Sequence, residues 1–202
     1  MRLTHAVLVL ADISGYTSFI TNREVSLLHA EQIITDLLEA MIDRTEHPLT
    51  LNKLEGDAAF FWAESGADRG AAMRDALAQV RALFEAFDAR LARLGTERAN
   101  CTCEACANLG GLRIKAFVHC GEIAVKQVRQ FEELAGEDVI LVHRLMKNHL
   151  PEREYVLLSQ AATDAWPLPA AAAARAHAED FEGMGELRLS VLARDGLARA
   201  VG

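Results

Sequence analysis

Two long amphipathic stripes with a compact hairpin between them leave this chain few folds to choose from. From Arg23 to His47, Leu27, Leu28, Ile33, Ile34, Leu37, Leu38 and Met41 recur at helical steps, which predicts one buried helical face. From Asp68 to Leu94, Met73, Leu77, Val80, Phe84, Phe87, Leu91 and Leu94 do the same. Pro48 closes the first stripe, and LTLNKL and AAFFW then read as strands joined by Glu55-Gly56-Asp57, with Asp57 at the hairpin tip. Ahead of both stripes, the short Val- and Leu-rich run His5 to Asp12 precedes Ser14-Gly15 and reads as a buried strand ending in Asp12. Beyond them, Leu112–His119 and Glu122–Val128 read as a second hairpin about Cys120-Gly121, followed by a helix from Gly136 to His149 that stops before Pro151. Glu154–Leu158 and Glu186–Leu192 read as strands, while the Ala-rich stretch Pro169–Ala176 fits helix or loop. The first six elements give an α+β fold with a ferredoxin-like βαββαβ core, an antiparallel sheet carrying helices on one face. No linker divides residues 1–202, so a single domain is expected.

With 51% apolar and 25% charged residues the chain can bury enough surface to fold, which excludes disorder. Its 21 basic against 29 acidic residues, a net charge of −8, argue against nucleic acid or an anionic membrane as partner. No apolar run approaches the ~18 residues of a spanning helix, and no signal-peptide pattern is seen, so a cytoplasmic protein is expected.

The loop at about 96–111 lacks apolar periodicity and holds Cys101, Cys103 and Cys106. In a reducing compartment such a cluster binds metal more often than it forms disulfides. Three thiolates suit a structural Zn²⁺, with a fourth ligand to come from Cys120, His119, another loop residue or a partner chain. An unligated or redox-active cluster and an iron–sulfur centre are the alternatives. His29 and His143 read as ordinary helix residues.

Asp12 and Asp57 stand on elements that neighbour one another in a ferredoxin-like sheet, where their carboxylates can converge on a hard divalent cation. Their plain alternative is an Asx-type turn at Asp12 and a turn residue at Asp57.

Asp12-Ile-Ser-Gly-Tyr-Thr-Ser-Phe19, Lys53-Leu-Glu-Gly-Asp57-Ala, His119-Cys-Gly-Glu122 and Gly136-Glu-Asp-Val-Ile-Leu-Val-His-Arg144-Leu resemble, in order, the blocks of class III adenylate/guanylate cyclases. More narrowly, the chain resembles a divergent bacterial cyclase-like group with a cysteine-rich loop before the fourth strand (DUF2652-like). The resemblance implies a head-to-tail homodimer whose sites draw metal ligands from one subunit and base-reading residues from the other. It implies that Asp12, the Ile13 carbonyl and Asp57 hold two Mg²⁺ or Mn²⁺, and that the Ser14-Gly15-Tyr16-Thr17 turn cradles the phosphates of a nucleoside triphosphate. Lys53 and Glu133 occupy its base-reading positions. A lysine donating to adenine N1 and a carboxylate accepting from its N6 amine favour ATP over GTP. Lys53 as a solvated strand residue and Glu133 as half of a solvated Glu132-Glu133 pair are the alternatives. His119 matches a family histidine that binds no metal.

Two positions depart from the family. Its transition-state Asn falls on Ile140, and its triphosphate-gripping lysine aligns near Glu182 to Met184, where no lysine stands. Arg144 is retained and suits charge developing on the α-phosphate; its alternative is a surface arginine on an amphipathic helix. Two functions therefore stay open: a metal-dependent purine nucleotide cyclase, and a catalytically degenerate domain that binds nucleotide or metal as a regulatory module.

Overall fold

The computed structural model describes residues 1–16 and 27–202. Thr17, at the end of the expected phosphate turn, lies outside the described residues.

Inside the sheet lies β1 (Arg2–Ser14), antiparallel to β3 (Ala58–Glu64) on one side and to β4 (Arg113–Val128) on the other. The strand order is β2-β3-β1-β4-β6-β8-β7, with β2 Thr50–Glu55, β6 Tyr155–Ser159, β7 Arg175–Phe181 and β8 Gly185–Leu192. A further strand, β5 (Phe131–Ala135), pairs with β4, and β6 runs parallel to β4.

Residues Ala6 to Ala11 are all fully buried because both faces of β1 are covered. Val7, Val9, Ala11 and Ile13 point into one core, against α1 (Leu27–Asp43) and α2 (Arg69–Glu97). The apolar stripes predicted for these helices are the faces they bury there. Ala6, Leu8 and Leu10 point into a second core with Phe60, Phe117, Tyr155 and Val142 of α4 (Glu137–Leu145). The expected layer of helices on one face is thus joined by α4 on the other.

The predicted second hairpin is absent: from Arg113 on, its two expected arms belong to one 16-residue strand, β4, in which Gly121 pairs with Ala6. Gly121 marks a close approach rather than a turn, since a Cβ there would collide with the Asp138 carboxylate on α4. Asp138 in turn accepts from Nε2 of buried His119 at 2.8 Å. Gly121→Ala would push Asp138 away and strand that ring nitrogen, so a loss of about 1–3 kcal/mol in urea unfolding is expected. An unchanged midpoint would refute this account of the glycine.

The real reversal follows Val128, with Arg129 at φ 57, and leads into β5, which the polar run Glu132-Glu133 concealed. The Ala-rich stretch is divided between a short 3-10 turn, Ala170–Ala172, and the start of β7. Helix α4 ends four residues before His149, and α6 (Arg194–Ala200) closes the chain. Between α2 and β4, the cysteine loop contains the one-turn helix α3 (Glu104–Ala107), and α5 (Gln160–Ala165) follows β6. Among the described residues no helix is long and apolar enough to cross a membrane.

Candidate functional site

Asp12 pairs across the sheet with Ala58, the residue after Asp57, and the Ile13 amide donates to the Asp57 carbonyl at 3.2 Å. This backbone bond holds the tight Gly56-Asp57 turn to the end of β1, so two acids distant in sequence become neighbours. Burial first, and then the Asp57 charge, raise the Asp12 carboxyl to about 6, against the pull of Lys115 and Lys147. Asp57 is raised by burial; its own amide opposes this, and Glu31 adds to it. Asp12 is the more enclosed of the two, and the charge of its neighbour adds to the effect of burial there.

Ser14 ends β1 and is buried, and Gly15 turns the chain at φ 98, a conformation other residues resist. A side chain at Gly15 would also strike the guanidinium of Arg153, which donates to the Gly111 carbonyl at 2.7 Å. Arg153 therefore brings a cation against the turn expected to cradle phosphates. It belongs to no motif of the sequence, and only the fold reveals it. The Tyr16 hydroxyl donates to Glu31 on α1 at 3.0 Å.

Lys53 on β2 and Glu133 on β5, 80 residues apart, form an ion pair at 3.3 Å. The two hairpins are tied alongside by Asn52, whose side-chain amide donates to the Glu132 carbonyl. Glu55 stands 4.0 Å from Lys53 and receives Nε2 of His143 at 3.0 Å, while the His143 ring packs edge-on to Phe60. His143, read from sequence as an ordinary helix residue, thus links α4 to the Lys53 cluster.

Arg144 is half-exposed and pairs with Glu182 at 3.5 Å rather than with any of these carboxylates. It shares an open groove of about 360 Å³ with Val139, Ile140, His143 and Lys147. Ile140 presents an apolar side chain, 55% exposed, to that groove.

The cysteine loop makes a second, separate cluster. Ligand atoms of Cys101, Cys103, Cys106 and His29 all lie within 4.8 Å of one another, a set able to hold a metal ion. The candidate fourth ligands named from sequence go elsewhere. Cys120 is buried with its thiol on the Met73 sulfur, and burial drives it up to about 12. His119 bonds Ser159 and Asp138. His29, expected to be only a helix residue, stands in the fourth position. The Cys103 amide first, then the Cys103 and Cys106 thiols, draw Cys101 down to about 7, while burial raises Cys106 to about 12.

Residues 34–155 match the family model DUF2652, described as a protein of unknown function. The "Uncharacterized protein Rv2561/Rv2562" of Mycobacterium tuberculosis is 37% identical over 153 residues, spanning 76% of this chain and 69% of that protein. The solved guanylyl cyclase Cya2 superposes with a TM-score of 0.72 at 13% identity, covering 95% of this chain and 92% of that one. A class III adenylyl cyclase-like ATP-binding protein from Pseudomonas aeruginosa gives 0.69 at 18% identity, over 99% of this chain and 41% of that one.

Proposed function

The chain belongs to the DUF2652 family and has the class III nucleotide cyclase fold, and from that premise we propose that it is a divalent-metal-dependent purine nucleotide cyclase favouring ATP. The observation that carries this reading is the meeting of Asp12 and Asp57 at the end of β1. Two hard carboxylates whose repulsion already raises one of them suit a pair of dications, and Asp12, the Ile13 carbonyl and Asp57 would hold two Mg²⁺ or Mn²⁺. When bound, such ions supply Lewis acidity that eases ribose hydroxyl ionisation and offsets charge on departing pyrophosphate.

The chain's own residues do the rest. Amides of Ser14, Gly15 and Tyr16 orient the triphosphate, and the Arg153 guanidinium against Gly15 adds positive charge, whereas Glu182 to Met184 offer no lysine. Lys53 donates to adenine N1 and Glu133 accepts from the N6 amine; their ion pair at 3.3 Å supports this by holding the two side chains together. The 3′ oxygen attacks the α-phosphorus, the bond to pyrophosphate breaks, and the hydroxyl proton passes to solvent. Arg144 steadies the charge that builds on the α-phosphate.

A head-to-tail homodimer unites the carboxylate pair of one copy with the base-reading pair of the other. Leu54, Val128 and Phe131, all about half exposed, supply apolar surface on the two hairpins that carry Lys53 and Glu133 for that contact. Incubation with ATP or GTP and Mg²⁺ or Mn²⁺ should yield 3′,5′-cyclic nucleotide, faster from ATP, and none with Asp12→Ala. Absence of product across both metals and both nucleotides would reject the enzyme.

Ile140 favours a second reading, a catalytically silent nucleotide- or metal-binding regulatory module, because an isoleucine offers no hydrogen bond to the transition state. Saturable ATP binding without turnover would select it.

A further inference from the structure

We infer that His29, Cys101, Cys103 and Cys106 form a tetrahedral zinc centre that staples the α2–β4 loop onto the first turn of α1. His29 Nδ1 lies 3.3 Å from Cys103 Sγ and 3.7 Å from Cys101 Sγ, and all four ligand atoms fall within 4.8 Å of one another. Ligand atoms about 2.0–2.3 Å from a tetrahedral zinc are spaced roughly 3.3–3.8 Å apart, so the cluster closes on an ion with small side-chain movements. Three sulfurs and one imidazole are a soft set that selects Zn²⁺ over the Mg²⁺ suited to Asp12 and Asp57.

The surroundings support a thiolate at Cys103. The Cys106 amide donates to Cys103 Sγ at 3.4 Å, a backbone bond that stabilises sulfur charge and fixes the Cys103-Glu-Ala-Cys106 turn. Zn²⁺ would displace the three thiol protons to solvent and leave the centre with one net negative charge.

The staple has a mechanical consequence. Glu31, two residues beyond His29 on α1, accepts the Tyr16 hydroxyl at 3.0 Å, and its charge reaches Asp57. An ion that anchors His29 therefore also steadies the helix that braces the proposed phosphate turn. Only this link rests on the cyclase reading; the zinc centre itself does not.

The test uses the full chain without nucleotide. Metal analysis should find one zinc per chain, and Co²⁺ exchange should give the intense visible bands of tetrahedral cobalt together with sulfur-to-cobalt charge transfer. Cys103→Ser and His29→Ala should each weaken zinc binding by on the order of 10²-fold. His29→Cys, which keeps four ligands should the alanine variant fail to fold, should retain zinc and shift the cobalt spectrum toward four sulfurs. Iron in place of zinc would overturn the proposal. So would a cobalt spectrum identical in wild type and His29→Cys, or an unchanged zinc affinity in Cys103→Ser. Because none of these readouts involves turnover, an inactive protein that holds zinc would count against the cyclase alone.

Discussion

Asp12→Asn is expected to stabilise the fold by about 3 kcal/mol at pH 8 while cutting metal-dependent turnover by on the order of 10³-fold. The sign follows from the Asp12 carboxyl, raised from 3.8 to about 6 in the folded protein. Between those values the folded chain keeps a proton that the unfolded chain has released, so stability falls as pH rises through the window. Above pH 6 the whole penalty of a buried charge beside Asp57 is present, and a neutral amide removes it. Below pH 4 both states are protonated, and the substitution should be nearly neutral.

Urea unfolding at pH 8 and pH 4, with and without Mn²⁺, measures this directly. At pH 8 added Mn²⁺ should raise the wild-type midpoint and leave the Asp12→Asn midpoint in place, since a bound ion stabilises only the state that holds it. Equal destabilisation at both pH values, with the metal response intact, would mean that Asp12 serves the turn and not an ion. A side chain that lowers stability where it stands, yet gains once a cation arrives, is the usual mark of a functional group.

Ile140→Asn should raise kcat by about 10²-fold with little change in KM. Position 140 is an exposed site on α4, in the same groove as Arg144 and one turn before it, so an amide there can reach the charge that Arg144 is proposed to steady. The exchange costs only about 0.5 kcal/mol of helix propensity. Initial rates of cyclic nucleotide formation at saturating ATP give the comparison. A variant no faster than wild type would show that α4 does not face the reacting phosphate. If wild type makes no product and the variant does, isoleucine is the block that separates a binding module from an enzyme.

Helix and strand periodicity is a short-range property, and the elements it governs were legible. The stripes of α1 and α2, the β2–β3 hairpin and an acid two residues before the end of β1 follow from residues within a few positions of one another. Gly121 shows where local reading misleads: a glycine can mark a turn or make room for a neighbour, and the neighbour is Asp138, 17 residues on in another element. Strand β5 escaped because the adjacent Glu132 and Glu133 break its apolar alternation, and its pairing with β4 rests on backbone bonds that side-chain polarity does not report.

By itself the sequence determined the first strand, the two long helices with the hairpin between them, the faces those helices bury, and the placing of Asp12, Asp57 and three cysteines at loop and strand ends. Only the tertiary structure decided that His29 meets cysteines more than 70 positions away, that Lys53 meets Glu133, and that Arg153 lies against Gly15. The reason is physical. Patterning selects which face of an element is buried, whereas the polar side chains that meet at its edges are chosen by how complete elements pack, through contacts that leave no periodic trace in the chain.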